Sequence, residues 1–256
     1  MDRMLGGAIH VLILGGTSEA TQLARALAEQ PGVEPRLSLA GRTRMPAEQP
    51  VPWRTGGFGG VDGLAAYLNE HAVDALVDAT HPFAARITAN AAAAAERTGT
   101  PLTVLRRPAW EPVAGDDWHM VPDLDAAAAA LPGLGERVLI TTGRDLAPFE
   151  AVPDKSYIVR TIDPPEPLPD LPRVTYLQSR GPFRRDDEAA LLAEYGVDAL
   201  VTKNAGGDAT RAKLDAAREH GVPVVMIQRP ALPDGVRVLH DLAAAQHWLR
   251  ASHLEP

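Results

Sequence analysis

Cysteine is absent from the 256-residue chain. That removes disulfides, thiolate metal sites and a cysteine nucleophile, and it suits a reducing compartment. Also missing is any apolar run near the roughly 20 residues that a membrane-spanning helix needs. The opening stretch, residues 1–8, is too short and polar for a secretory leader, so the expectation is a soluble, cytoplasmic protein with no membrane partner. Basic charge is scarce: 25 Lys and Arg stand against 33 Asp and Glu, a formal net charge of −8 that argues against a nucleic-acid surface. Aromatics make up 5% of the residues while alanine is abundant, which favours helices packed closely on sheets. Several catalytic signatures are missing too. No tyrosine opens a Tyr-x-x-x-Lys, and there is no G-x-S-x-G or Walker A motif. The histidines lack the spacing of H-E-x-x-H, so no metal site is expected.

What is present begins with Ile9 to Ala20, I-H-V-L-I-L-G-G-T-S-E-A. An apolar run, Val11 to Leu14, breaks on Gly15 and Gly16. Thr17 and Ser18 then open a segment whose Leu23, Ala24 and Leu27 recur at helical spacing. A strand, a glycine turn and a helix start can present backbone N–H groups to a phosphate. Glycine admits backbone approach that a Cβ would block. The G-x-G-x-x-G/A pattern is imperfect here, because Thr17 stands where its second glycine belongs. On these residues alone, a nucleotide cradle and a plain tight turn both remain open.

Strands then alternate with helices: strands near Arg36–Ala40, Val51–Thr55, Ala75–Ala79 and Pro101–Leu105, helices near Leu64–His71 and Ala84–Arg97. This spacing predicts βαβ units on a parallel sheet. The second half repeats the first. H-A-V-D-A-L-V (His71 to Val77) returns as Y-G-V-D-A-L-V (Tyr195 to Val201), and V-L-I-L-G-G returns as V-L-I-T-T-G (Val138 to Gly143). T-P-L-T-V-L-R-R-P-A (Thr100 to Ala109) matches V-P-V-V-M-I-Q-R-P-A (Val222 to Ala231), and M-V-P-D-L-D-A-A-A resembles V-L-H-D-L-A-A-A. The expected fold is α/β, two Rossmann-like parallel-sheet lobes related by internal duplication. The lobes are expected at residues 1–134 and 135–256, and the strand near Arg237 to His240 can join either sheet.

Ligands of such folds sit at the carboxyl ends of the strands, so candidates come from there. Arg42, Thr43 and Arg44 follow the second strand, where an NAD-binding lobe carries an acidic residue. Arginines there suit a 2′-phosphate, the alternative being solvated loop residues. Thr55, Gly56 and Gly57 could pass close under a ribose or nicotinamide, or form a flexible loop. His81 could deliver a proton, hydrogen-bond a carboxylate or pack neutrally beside Pro82. In the second lobe, Arg144, Arg180, Lys203 and Asn204 lie near strand ends, as do Arg184 and Arg185. Together they favour an anionic, polycarboxylate ligand.

The chain resembles the precorrin-6A reductases of corrin biosynthesis, including their cobalt-precorrin counterparts. The likeness rests on L-I-L-G-G-T-S-E-A (Leu12 to Ala20), A-G-R-T (Ala40 to Thr43) and R-T-G-G-F-G-G (Arg54 to Gly60). It continues in V-D-A-T-H-P-F-A (Val77 to Ala84), Q-S-R-G-P-F (Gln178 to Phe183) and V-T-K-N-A-G-G (Val201 to Gly207). The resemblance implies NADPH as cofactor and hydride transfer to a ring-D double bond of precorrin-6A, a polycarboxylate tetrapyrrole, giving precorrin-6B. It implies that the Gly15 to Ser18 turn and Arg42 to Arg44 hold the cofactor, and that His81, Arg180, Lys203 and Asn204 meet the tetrapyrrole. Metal-free and cobalt substrates, monomer and homodimer, and a non-catalytic NADPH sensor all remain open at this point.

Overall fold

The computed structural model describes residues 8–41 and 48–253; the expected 2′-phosphate ligands Arg42, Thr43 and Arg44 lie outside them. The chain divides into two units, Met1–Arg107 with Ala231–Pro256, and Pro108–Pro230.

Unit one runs β1 (Ile9–Leu14), α1 (Ser18–Ala28), β2 (Val33–Leu39), β3 (Trp53–Thr55), α2 (Val61–Glu70), β4 (Ala75–Asp78), α3 (Ala85–Thr98) and β5 (Leu102–Leu105). Unit two contains β6 (Trp118–Val121), α4 (Leu124–Ala129), β7 (Arg137–Ile140), a 3-10 helix (Ala147–Ala151), β8 (Ser156–Thr161) and β9 (Val174–Gln178). It ends with α5 (Arg185–Tyr195), β10 (Ala199–Lys203), α6 (Ala212–His220) and β11 (Val224–Ile227). The chain then returns to unit one with β12 (Arg237–Leu239) and α7 (Leu242–His253).

Each sheet has six strands, ordered β3-β2-β1-β4-β5-β12 in unit one and β9-β8-β7-β10-β11-β6 in unit two. All neighbours are parallel. This is the doubly wound Rossmann order, with the switch point between the first and fourth strands of each copy. The duplication is therefore visible in the topology, and it carries an exchange: the last strand of each sequence copy pairs in the other unit's sheet. The expected boundary at residues 134 and 135 is corrected accordingly. β6 precedes it yet pairs with β11, and β12 follows it yet pairs with β5. The reason is edge pairing: β5 and β11 each present a row of backbone groups that a further strand satisfies.

The alternating strand residues explain the layers. Val11 and Ile13 join Leu23, Leu27, Trp248 and Leu249 beneath α1 and α7, while Leu12 and Leu14 join Leu64, Leu68, Ala91 and Ala94 beneath α2 and α3. In unit two, Leu139, Leu200, Val224 and Met226 pack with Leu192, Leu214 and Ala217 of α5 and α6. The shared V-D-A-L-V string has a physical role in both copies. Asp74 accepts the His10 N–H at 2.9 Å, and Asp198 accepts the Glu136 and Arg137 N–H groups at 2.9 Å each. Each aspartate thus ties the fourth strand of its copy to the start of the first. Among the described residues, no helix is long and apolar enough to cross a membrane.

Candidate active site

At the carboxyl edge of unit one, β1 runs into Gly15, Gly16 and Thr17 before α1. Gly15 is buried, and a Cβ there would lie 2.8 Å from Leu37 Cδ2 and 3.2 Å from Leu39 Cδ2. The backbone is thus pressed onto β2, where no side chain fits. Gly16 is exposed, takes φ +118°, and has nothing within 4 Å of its Cβ position. Thr17 is the N-cap of α1: its Oγ1 accepts from Ala20 N at 3.2 Å and donates to Ala79 O at 2.7 Å. The hydroxyl proton is therefore committed to the end of β4, and Thr17 would meet a ligand through its backbone. Ser18 is exposed, with its hydroxyl 3.1 Å from Glu19 Oε2. Glu19 pairs with Arg107 at 2.8 Å. Burial pushes the Glu19 carboxyl up, but its own backbone N–H and the Arg107 guanidinium outweigh that and hold it below the usual range.

The Thr55–Gly60 turn is not loosely held. Arg54 Nη1 donates to Ser38 Oγ at 2.9 Å and Gly56 O at 3.0 Å, and its Nη2 donates to Gly57 O at 3.1 Å. The guanidinium also lies 4.1 Å from the Phe58 ring centroid. Gly56 has φ +100°, and neither Gly56 nor Gly57 has a neighbour within 4 Å of its Cβ position. Gly41, φ +72°, brings its Cβ position 3.6 Å from Gly56 N. Glycines that follow β1, β2 and β3 therefore line one stretch of edge with bare backbone, a cradle that side chains would fill.

His81 follows β4 and is exposed. Its Nδ1 accepts from Phe83 N at 3.3 Å, which leaves the proton of the neutral ring on Nε2.

Unit two builds the corresponding edge differently. Arg144, beside Gly143 at φ +93°, pairs with Asp163, Nη2 to Oδ2 at 3.1 Å. Lys203 Nζ donates to Thr142 O at 2.8 Å and lies 3.6 Å from Asp145. Asn204 is buried, and its amide is taken by the Trp110 backbone: Oδ1 accepts from Trp110 N at 2.8 Å, and Nδ2 donates to Trp110 O at 2.9 Å. The structure thus gives Asn204 a fastening role where ligand contact was expected. Arg229 binds the Asn204, Ala205 and Pro108 carbonyls at 2.8 to 3.0 Å. Arg180 and Arg184 are exposed and have no ion-pair partner among the described residues. Among the described residues no cluster of His, Cys, Asp or Glu is arranged to hold a metal.

With this geometry in view, comparisons with known proteins converge. A family model described as "Precorrin-6x reductase CbiJ/CobK" matches residues 10–250. The chain belongs to the precorrin-6x reductase family. A relative from Rhodococcus erythropolis named "Precorrin-6A reductase" is 53% identical over 242 residues, covering 94% of this chain and 97% of that protein. A Priestia megaterium relative named "Cobalt-precorrin-6A reductase" is 31% identical over 186 residues, 68% of this chain and 72% of that protein. A solved structure named "CobK precorrin-6A reductase" superposes with TM-score 0.91 at 45% identity, covering 97% of this chain and 98% of that one.

Within this reductase family frame, residues that composition and spacing did not single out turn out to organise the edge. Arg54 orders the glycine turn, Glu19 and Arg107 pair at the start of α1, and Trp110 anchors unit two. Arg107 and Arg229 occupy equivalent places in the duplicated R-P-A strings, which was the available signal for both.

Proposed function

We propose that the chain is an NADPH-dependent reductase of precorrin-6A, holding the cofactor on unit one and the polycarboxylate tetrapyrrole on unit two. The observation that carries this is the glycine-lined edge of unit one, where Gly15 is sealed against Leu37 and open space lies beside Gly16, Gly56 and Gly57. A dinucleotide needs such bare backbone at the switch point, next to a capped helix N-terminus. Gly15, Gly16, Thr17 and Ser18 would hold the pyrophosphate through backbone N–H groups, with Thr55, Gly56 and Gly57 beside them. Arg42, Thr43 and Arg44 would hold the 2′-phosphate. When bound, NADPH supplies the hydride that reduces the ring-D double bond to give precorrin-6B.

The chain's own task is orientation and water exclusion. His81 would hold a carboxylate through Nε2–H in the neutral ring, or, when both ring nitrogens are protonated, hand one proton to the macrocycle and return to neutral imidazole. A ligand carboxyl or water can replace that proton, so His81→Ala is expected to slow turnover without abolishing it. On unit two, Arg144, Arg180 and Lys203 would meet substrate carboxylates, Arg144 and Lys203 by exchanging their present acidic partners. The metal-free substrate is favoured because the relative named for it, at 53% identity, is far more similar than the one named for the cobalt form, at 31%.

NADPH oxidation followed on adding metal-free or cobalt precorrin-6A tests the reading. Oxidation with neither, alongside cofactor binding, would favour a sensor instead. Arg42→Ala with Arg44→Ala should weaken NADPH far more than NADH; equal effects would sink the 2′-phosphate assignment.

A further inference from the structure

His81 sits in a turn whose backbone is fixed from below by buried charge. Asp78 closes β4 at 1% exposure and receives three bonds. Its Oδ1 accepts from Thr80 N at 3.0 Å and Thr80 Oγ1 at 2.7 Å, and its Oδ2 accepts from Thr88 Oγ1 of α3 at 2.6 Å. From the end of β5, Arg106, also buried, donates from Nη2 to Pro82 O at 2.8 Å. Thr17 grips Ala79 O on the near side, and Ala84 N donates to His81 O at 2.7 Å. Residues on both sides of His81 are thus pinned, and the Phe83 N–H selects its tautomer.

Burial of two charged groups is costly, and apolar residues of similar volume fill such space at least as stably. Packing therefore gives no reason for Asp78 and Arg106. One Asp78 bond ties in Thr88 of α3, and the remaining bonds of the two residues go to Thr80 and Pro82, the two neighbours of His81. We infer that Asp78 and Arg106 are positioning residues that hold the His81 ring in one orientation, with its neutral proton on Nε2. The inference deepens the proposed function and rests on its reading of His81 as a substrate-side group.

The test uses the whole chain with Arg106→Met and Arg106→Lys, read by NADPH-dependent turnover and by 15N NMR of the His81 ring. Arg106→Met should lower kcat by about tenfold or more while the tetrapyrrole KM and NADPH Kd move less than about twofold. In the same variant the ring should pass from the Nε2–H tautomer to a mixture, and Arg106→Lys should restore most of both signals. A folded Arg106→Met that keeps the single tautomer overturns the inference, as does a kcat loss that leaves the tautomer unchanged. If Arg106→Met does not fold, Thr88→Val, which removes one bond to Asp78, reads the same tautomer: a mixture upholds the inference and an unchanged ring overturns it. The two readings separate cleanly. Full turnover in His81→Ala would remove His81 from the proposed function, while a tautomer shift in Arg106→Met would still uphold the positioning role.

Discussion

The same strand end is built twice in this chain, with opposite outcomes. After β1 come two glycines and an eleven-residue α-helix capped by Thr17; after β7 come Thr142 and Gly143, then a five-residue 3-10 helix with no side-chain cap. Only the first presents a helix N-terminus with its aligned dipoles beside bare backbone. The turns after β4 and β10 diverge as well. One exposes His81, while the other is fastened by Asn204 and Arg229 around Trp110. The second strands differ too: Ser38 of β2 receives Arg54, whereas at the matching register β8 carries Arg160, buried against Glu188 and lying 4.0 Å from the Phe183 ring centroid. A duplicated scaffold fixes where ligand edges fall, and the loop residues decide which copy keeps its edge open.

The Arg160–Glu188 pair offers the sharpest way to break this contrast, since its side chains are 6% and 2% exposed and it belongs to unit two alone. Glu188→Gln leaves the guanidinium buried without its counter-charge and should cost about 3–5 kcal/mol in urea unfolding. Leu64 of α2 occupies the corresponding core position of unit one. Arg160→Ser combined with Glu188→Leu should therefore recover most of that loss. A double variant as unstable as Glu188→Gln would show that the two units do not accept the same packing.

Next in size is Asn204→Ala, which strips two buried bonds from the Trp110 backbone and should cost about 2–3 kcal/mol. Thr80→Ala at the matched turn of unit one should cost about half as much, because Thr80 N can still donate to Asp78. Equal costs by thermal unfolding would mean that the β4 turn is fastened as tightly as its counterpart.

Much of this fold is legible in the sequence, and the reasons are specific. The repeated V-D-A-L-V strings carry a hydrogen-bonding role as well as apolar periodicity, so they survive in both copies and reveal the duplication. The exchange of β6 and β12 is hidden because both strands bear the same pattern, and either sheet satisfies it. The glycine cradle was visible as Gly15, Gly16, Gly56 and Gly57, but Arg54, which orders it, reads as an ordinary strand residue until its bonds are seen. Asn204 shows the opposite limit. An amide at a strand end resembles a ligand donor, and its engagement with Trp110, 94 positions away in sequence, cannot be read from local spacing.

Alanine at matched positions of the first turn should give effects of unequal size. Gly15→Ala forces a methyl toward Leu37 and should cost about 1–3 kcal/mol while weakening NADPH binding. Thr142 is buried with a hydroxyl that finds no hydrogen-bond partner among the described residues, so Thr142→Ala should stay within about 1 kcal/mol of the parent. A large loss at Thr142 in chemical denaturation would show that the second turn depends on its side chain as the first depends on its absence.

The smallest expected effect concerns Glu19, in the first turn of α1. Its carboxyl is held below the ordinary range in the folded chain, its own backbone N–H and the Arg107 partnership together outweighing burial. A depressed folded pKa means that the unfolded chain takes up its proton first as pH falls. The contribution is therefore present above the unfolded carboxylate pKa of about 4.3, and is lost as pH drops through the lower folded value. Glu19→Gln should accordingly reduce stability at pH 7 and flatten its fall between about pH 5 and pH 3. The same change removes a negative charge beside the proposed pyrophosphate site, so NADPH should bind at least as tightly at pH 7. Weaker binding in Glu19→Gln, with Arg107→Met unchanged, would instead make the carboxylate itself a contact for the cofactor and reassign the role of the first turn.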